Sequence, residues 1–373
     1  MDPSKAAREG YLFSPLIDFL CLGGGSLLIF IPLMFLDTVT YEPVVAATIL
    51  FLAHFINSPH FAHSYQIFYR NFTAKAFGKA YAPRLRVRYV IAGIMVPAAI
   101  IVFFAAAIGS GNGRALGFGI NIMLFFVGWH YVKQGYGMII VDSVLKKAFF
   151  APRDKKILIV NAYLCWILSW GALNNAVAQR DMFGLASYSI PVPNILLIVV
   201  GFATAATTLL ALQVIYRSWR SDNPFPFNGT VAYLVTLYVW VLLPALVAPA
   251  AFVVLMVLAT PAAHSIQYFV VVWRYQLNVE RDKSDAQRPR SLFSNPVSKL
   301  AYFFVFGVVI SFFGFWILPT ALELFVPYNR GTFGSQMFLF MFAIFINVHH
   351  YFLDNVMWRR ENPDIAKYLL RAG

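Results

Sequence analysis

The sequence has little charge and almost no cysteine. Charged residues make up 12% of its 373 residues, about half the share of a typical soluble domain. Hydrophobic residues make up 60%, a content that excludes a disordered chain. Cys21 and Cys165, the only two cysteines, lie in apolar runs. They are too few for a disulfide scaffold, and we expect both to be reduced. These features together indicate a polytopic membrane protein.

The sequence also lacks a Gly/Ser-rich linker and any low-complexity tract, which predicts a single integral membrane domain over residues 1–373. A helix needs about 20 apolar residues to cross the hydrocarbon core of a bilayer. Apolar runs of this length predict an all-α, polytopic transmembrane helix bundle of about ten spans. The predicted spans are residues 14–36, 43–67, 89–109, 115–141, 157–176, 194–216, 229–248, 250–273, 300–324 and 335–357.

Acidic residues are few, 16 against 29 Lys and Arg, and the formal net charge is +13. The predicted spans place 25 of the basic residues on one side of the membrane. Only Arg114, Arg180 and Arg330 lie on the other side, and Lys133 lies inside a span. The positive-inside rule then predicts that both termini are cytoplasmic, in a bacterial inner membrane. Because the cations occupy gaps between spans, they do not indicate a nucleic-acid partner.

All seven histidines fall inside predicted spans two, four, eight and ten. An ionisable side chain within the membrane is costly and usually faces the interior of the helix bundle. The four spans run towards the same predicted face, so their imidazoles can share one layer of the bilayer. Imidazoles that converge from separate helices are typical of a metal site. The predicted metal ligands are His60, His63, His130, His264, His349, His350 and Asp354.

Helical phase and the neighbouring polar residues refine this set. His54 lies nine residues before His63, about half a turn away around the helix, and is expected to serve only in packing. Asp354 follows His350 by one helical turn. We predict catalytic roles for Asp354 and Lys133. Residues predicted to orient the ligands from a second layer are Asp18, Gln66, Gln134 and Gln267.

Two pairs of short stretches indicate an internal repeat. The sequence HSYQ at 63–66 resembles HSIQ at 264–267, and the dipeptide HY occurs at both 130–131 and 350–351. In both comparisons the partners are six spans apart. The pattern predicts that spans one to four are related to spans seven to ten, with the histidines at the interface between the two halves.

Imidazole and carboxylate ligands favour iron, with zinc or copper as the other candidates. An apolar molecule reaches a site within the bilayer most easily. We therefore expect a non-haem iron oxygenase or related oxidoreductase that acts on a lipid or isoprenoid, served by a redox partner. Two other functions remain open. One is a haem-binding electron-transfer protein with paired axial histidines. The other is a proton- or cation-coupled transporter that uses Asp18, Lys133, Asp354 and the histidines as its path.

Two short motifs carry a family resemblance. Pro59-His60 and the His350-x-x-x-Asp354 element, in an all-helical chain with histidines in its spans, resemble the Brp/Blh-type membrane carotene dioxygenases. That family cleaves β-carotene to retinal with iron. The resemblance therefore implies an iron site on buried histidines and an isoprenoid substrate. The histidine boxes of membrane fatty-acid desaturases and hydroxylases match less well, because only His60-x-x-His63 and the pair His349-His350 are present.

Overall fold

The computed structural model describes residues 10–35, 38–53, 55–176, 179–182, 185–246, 250–286 and 296–370. Helices follow one another along nearly all of this part of the chain. The α-helices in it are α1 (Pro15–Phe19), α2 (Gly25–Phe35), α3 (Thr38–Ala53), α4 (Asn57–Tyr69), α5 (Phe72–Ala76), α6 (Pro83–Val90), α7 (Val96–Gly109), α8 (Gly113–Leu145), α9 (Pro152–Ala176), α10 (Asn194–Trp219), α11 (Phe227–Leu234), α12 (Leu243–Leu246), α13 (Ala250–Ala286), α14 (Pro296–Phe312), α15 (Leu318–Phe325), α16 (Arg330–Phe333) and α17 (Met337–Met357). Short π-helical segments are Leu20–Gly24, Ile91–Met95, Val235–Leu242, Phe313–Ile317 and Ile365–Leu369.

Eight helical segments within the described residues are long and apolar enough to cross a membrane. They coincide with predicted spans one, three to seven, nine and ten. The prediction of an all-α polytopic bundle is confirmed, and the chain is an integral membrane protein. The other two predicted spans fall on α3 with α4 and on α13. The total of ten spans stays a prediction.

The predicted second span, residues 43–67, is not one continuous helix. Helix α3 ends at Ala53, and α4 begins at Asn57 after a turn. Pro59 explains the interruption, because proline has no N–H to donate to the carbonyl one turn earlier and its ring clashes with that carbonyl. In the first turn of a new helix the missing N–H has no cost. The break therefore places Pro59 at the start of α4, directly before His60.

A two-stranded antiparallel hairpin follows α9, formed by β1 (Gln179–Met182) and β2 (Leu185–Tyr188). The amide of Asn121 in α8 donates to Tyr188 O at 3.0 Å and to Asn174 Oδ1 at 2.7 Å. Asn174 in α9 in turn accepts a hydrogen bond from Ile190 N at 2.8 Å. Side-chain amides of two helices thus hold the end of the hairpin. The sequence analysis predicted only helices, because strands of four residues carry no detectable apolar alternation.

Buried polar side chains meet between four helices, α4, α8, α13 and α17. Helix α4 packs against α13, α14 and α17, and α8 packs against α9, α11 and α17. Helices α8 and α13 contain 33 and 37 residues, so each is on the order of 50 Å long. Each is therefore longer than the hydrocarbon core of a bilayer, which is about 30 Å thick.

Candidate metal centre

Four imidazoles and one carboxylate meet in the interior, contributed by four different helices. They are His60 on α4, His130 on α8, His264 on α13, and His350 with Asp354 on α17. Each of the five residues is at most 6% exposed. Two overlapping sets, His60 with His264 and His350, and His130 with His350 and Asp354, have ligand atoms within 4.8 Å of one another. We call these five residues the histidine cluster.

The distances between the ring nitrogens suit ligands of one ion. His60 Nε2 lies 3.2 Å from His350 Nε2, and His130 Nε2 lies 3.1 Å from His264 Nε2. Two nitrogen ligands at about 2.0–2.1 Å from one ion are about 2.9 Å apart at a right angle and about 3.4 Å apart at a tetrahedral angle. Both observed separations fall between these limits. Each of the two pairs therefore has the spacing of two ligands of one ion.

The two oxygens of Asp354 have different surroundings. Oδ1 accepts a hydrogen bond from Ser64 Oγ at 2.9 Å and faces Tyr268 OH at 3.4 Å. Oδ2 lies 3.4 Å from His350 Nε2 and 3.9 Å from His130 Nε2. Among the described residues, Oδ2 has no hydrogen-bond partner. A buried, unsatisfied carboxylate oxygen is costly, and a bound cation at this point would compensate it.

The protonation of His60 follows from its neighbours. Its Nδ1 contacts the backbone carbonyl of Asn57, one turn earlier in α4, and lies 2.9 Å from Ser265 Oγ. A carbonyl oxygen only accepts hydrogen bonds, so Nδ1 carries the proton and donates it to Asn57 O. The lone pair of Nε2 then faces the centre of the cluster. A carbonyl that fixes the tautomer in this way is typical of metal-ligating histidines.

Aromatic rings surround the imidazoles. His130 stacks on Tyr351 with ring centroids 4.5 Å apart, and His264 packs against Tyr131 at 4.5 Å. Phe61 contacts the edge of the His350 ring at 4.9 Å. These contacts restrict the ring orientations and keep the surroundings of the cluster apolar. The tyrosine that follows each histidine in the two HY dipeptides thus packs at the cluster.

His63, a predicted ligand, faces a different direction. Its ring stacks on Phe303 and meets Phe304 edge-on, each at 4.6 Å, and its Nδ1 lies 3.4 Å from Gln66 Oε1. Helix α14 approaches closely because Gly307 has no side chain, and a Cβ atom there would lie 2.2 Å from His63 Cε1. The structure therefore places His63 against α14, outside the cluster.

His349, also a predicted ligand, uses both ring nitrogens for hydrogen bonds to protein. Its Nε2 lies 3.0 Å from Ala92 O, and its Nδ1 lies 2.7 Å from Tyr65 OH. The carbonyl requires Nε2 to donate, and Tyr65 then donates to Nδ1. The two adjacent histidines therefore differ, because His349 links helices through hydrogen bonds and His350 belongs to the cluster. His54 lies outside the described residues.

The predicted repeat equates His63 with His264, but the two histidines have different surroundings in the structure. His264 belongs to the cluster, whereas His63 packs against α14. His130 and His350, the other equated pair, both belong to the cluster. The repeat stays a prediction.

Two of the glutamines predicted to orient the ligands form a chain beside the cluster. Gln134 Nε2 donates to His264 O at 3.2 Å and to Gln267 Oε1 at 2.7 Å. Gln267 Nε2 donates to Leu22 O at 2.5 Å, in the π-helical segment between α1 and α2. They therefore join α8, α13 and the first span through backbone carbonyls. Gln66 contacts His63, as described above.

Asp18 and Lys133 lie in separate networks. The carboxylate of Asp18 accepts hydrogen bonds from Leu12 N at 2.6 Å and Phe13 N at 3.0 Å, which ties the chain before α1 to that helix. Lys133 donates to Asn355 Oδ1, and its ammonium lies 4.9 Å from the ring centroid of Trp129. The predicted second-layer role of Asp18 and the catalytic role of Lys133 both stay predictions.

The sequence analysis missed the hydroxyl groups that contact the cluster. Ser64 and Tyr268 hold Asp354, and the two hydroxyls lie 2.5 Å apart. Ser265 contacts His60. A signal was available for two of them, since Ser64 follows His60, and Tyr268 follows His264, by four residues. At that spacing side chains share one helix face.

No protein-family model matches the chain, and neither a curated protein nor a solved structure matches it significantly. The functional argument therefore depends on the geometry of the histidine cluster. That geometry defines an integral membrane protein with a buried His/Asp group that could hold a metal ion.

Proposed function

We propose that the histidine cluster binds one transition-metal ion through His60, His130, His264, His350 and Asp354. The observation that carries this proposal is the convergence of the imidazole Nε2 atoms and one carboxylate oxygen from four helices, with neighbouring donor atoms 3.1–3.4 Å apart. The hydrogen bonds from Ser64 to Asp354 and from His60 to Asn57 O supply the outer contacts that metal ligands normally have.

A single ion fits better than two. Both three-residue sets include His350, and the same atom, Nε2, faces His60 in one set and Asp354 in the other. One nitrogen lone pair binds one ion, so the two sets cannot hold separate ions through this atom. The ligand atoms lie in two overlapping sets of three, and we propose that the two sets draw together around one ion, which would leave one position of an octahedron open.

We propose iron as the metal and oxidation of an apolar molecule as the reaction. A donor set of imidazole and carboxylate without thiolate suits iron, and zinc and copper less well. When bound, iron supplies redox chemistry towards dioxygen, and we propose a redox partner as the source of electrons. The protein positions the ion with Asp354 and the histidines, and the surrounding Phe61, Tyr131 and Tyr351 exclude water.

The proposed substrate is a lipid or isoprenoid, because two of the four helices that carry the cluster, α8 and α17, are long and apolar enough to span a membrane. The resemblance to Brp/Blh-type carotene dioxygenases supports this substrate class. Its motif residues Pro59-His60 and His350-x-x-x-Asp354 supply three of the five cluster groups. Membrane lipids are the medium through which such a substrate would arrive.

The geometry does not favour the two other functions. Axial nitrogens on opposite sides of a haem iron would lie on the order of 4 Å apart, and the observed pairs are 3.1 and 3.2 Å apart. A transport path through Asp18, Lys133 and Asp354 requires these groups to be linked. Each of them contacts a different set of residues.

Metal analysis of protein purified in mild detergent, combined with an optical spectrum, tests the proposal. We expect near-stoichiometric iron and no Soret band. A Soret band would support the haem function. A protein that takes up no transition metal when loaded with Fe(II), Zn(II) or Cu(II) would disprove the metal centre.

We also propose that both termini are cytoplasmic in a bacterial inner membrane, on the basis of the uneven distribution of Lys and Arg. A C-terminal reporter that is active only outside the cytoplasm should then remain silent. Strong activity of this reporter would place the C-terminus outside the cytoplasm and would disprove the proposed topology.

A further inference from the structure

A cleft of about 550 Å³ is lined by residues of α13 and α14, together with Gln66 and Arg70 at the end of α4. One end of the cleft is charged, with Arg70, Lys283, Lys299 and Glu280. Tyr302, Phe303 and Phe306 of α14 form an aromatic wall of the same cleft. Gln66 lies in the lining, six residues after His60 on α4, which is about 9 Å along the helix axis.

The charged end has an excess of positive charge. Glu280 is the only carboxylate that lines the cleft in the described part of the chain. It contacts Lys283 at 2.9 Å and Lys299 at 4.0 Å. Arg70 donates to Gln276 Oε1 at 2.7 Å, and Gln276 in turn donates to Glu280 at 2.9 Å. Among the described lining residues, three cations therefore share one carboxylate, which gives a net charge of about +2.

Two residues of the aromatic wall are exposed on the outer surface of the bundle. Tyr302 and Phe306 are 63% and 43% exposed, and their rings stack with centroids 5.9 Å apart. They belong to the apolar segment Val297–Phe325, one of the least buried of the membrane-spanning helices. Lys299 lies at the start of this segment, one turn before Tyr302. Charged and apolar surfaces therefore meet within one cleft at an end of a span.

We propose that this cleft binds an acidic phospholipid, with the phosphate at Arg70, Lys283 and Lys299 and an acyl chain along Tyr302 and Phe306. Basic pockets between transmembrane helices bind anionic headgroups in this way. A soluble anion would use the cations but leave the aromatic wall exposed. A neutral lipid would use the wall but leave the excess charge uncompensated. Only an anionic amphiphile satisfies both surfaces.

This proposal goes beyond the metal chemistry and does not depend on it. The cleft residues named here are separate from the five residues of the histidine cluster. Loss of lipid binding would therefore leave the metal content unchanged, and loss of the metal would leave lipid binding unchanged. The two proposals can fail independently.

The test is binding of fluorescently labelled dioleoyl phosphatidic acid to the full-length protein in phosphatidylcholine nanodiscs. Unlabelled phosphatidic acid should compete, and labelled phosphatidylcholine should bind at least 10-fold more weakly. A cation near a membrane surface contributes about 1 kcal/mol, equal to about a 5-fold change in affinity. Arg70→Gln and Lys299→Gln should therefore each weaken binding about 5-fold, and the double variant about 25-fold.

Matched controls separate the cleft from general surface charge. Arg217→Gln removes an exposed arginine that pairs with Asp154 elsewhere on the bundle, and it should leave the affinity within 2-fold. Tyr302→Ala with Phe306→Ala should weaken binding, whereas Phe312→Ala, an exposed phenylalanine of the same helix outside the cleft, should not. Metal content and thermal stability, measured on every variant, identify any preparation that is misfolded.

Three results would overturn the proposal. One is equal affinity for phosphatidic acid and phosphatidylcholine. Another is an equal loss in Arg217→Gln and Lys299→Gln, which would indicate bulk electrostatics. The third is full competition by millimolar inorganic phosphate, which would indicate a soluble anion in place of a lipid.

Discussion

The buried histidines form two groups that differ in what their ring nitrogens face. In the histidine cluster, His60 Nε2 faces His350 Nε2, and His130 Nε2 faces His264 Nε2. His349, next to His350 in the chain, instead has both nitrogens paired with Tyr65 and Ala92 O. His63, on the same helix as His60, packs against the aromatic rings of α14.

This difference shows that burial does not by itself identify a metal ligand in a membrane protein. His63, His349 and His350 are all at most 2% exposed, yet only His350 has a ring nitrogen that faces other ligand atoms. A histidine whose two nitrogens both bind protein has no lone pair free for a metal. What the ring nitrogens face therefore separates the histidines of the cluster from His63 and His349 better than burial does.

The largest expected effect is on metal content when a cluster histidine is removed. His350→Ala deletes a nitrogen that faces both His60 and Asp354, so we expect metal affinity to fall on the order of 100-fold or more. The neighbouring His349→Ala should retain the metal and lose about 1–3 kcal/mol of stability, because its two hydrogen-bond partners are left unpaired. Elemental analysis and thermal unfolding of both variants measure the contrast. Equal metal loss in the two would remove the distinction between the groups.

Asp354→Asn should have the next largest effect. The change preserves size but removes the charge of a buried carboxylate whose Oδ2 faces His130 and His350, so we expect metal affinity or activity to fall about 10-fold or more. Asp142→Asn is the matched control, since Asp142 is also buried but pairs with Lys146 at 2.8 Å. It should cost stability and keep the metal. Normal metal content and normal turnover in Asp354→Asn would exclude Asp354 from the site.

Removing the hydroxyl groups that hold Asp354 should have a smaller effect. Ser64→Ala and Tyr268→Phe each delete one polar contact with Oδ1, and we expect each to lower metal affinity up to about 10-fold through misorientation of the carboxylate. Ser143→Ala is the control, because Ser143 is buried and donates to the carbonyl of Ile140 in its own helix. Titration of the metal-free proteins gives the affinities. An effect of Ser143→Ala as large as that of Ser64→Ala would attribute the loss to general destabilisation.

The smallest effect is expected for His63→Leu. In the structure the ring contacts Phe303 and Phe304, and among the described residues its Nε2 has no hydrogen-bond partner. An apolar side chain of similar size should therefore change stability by less than about 1.5 kcal/mol and leave the metal in place. Metal loss comparable with that of His350→Ala would restore His63 as a ligand, as the sequence analysis predicted.

The sequence by itself determined that the chain is an all-helical membrane protein and which residue types its candidate site contains. The apolar runs specify membrane-spanning helices because no other element satisfies its backbone groups within lipid, apart from a closed barrel. The six described histidines lie in helices and are buried, since a polar group within the membrane needs an interior partner. The pairing of His350 with Asp354 also followed from sequence, since residues four apart lie on one helix face.

Only the tertiary structure decided which histidines meet. His60 and His63 are three residues apart, and their directions differ by about 60° around the helix. The sequence does not specify how α4 is rotated about its own axis. Packing specifies it, because Gly307 allows α14 to approach the His63 side, which turns His60 towards α13 and α17. The contacts of Ser64 with Asp354, 290 residues apart in the chain, exist for the same reason, since only the folded bundle brings these helices together.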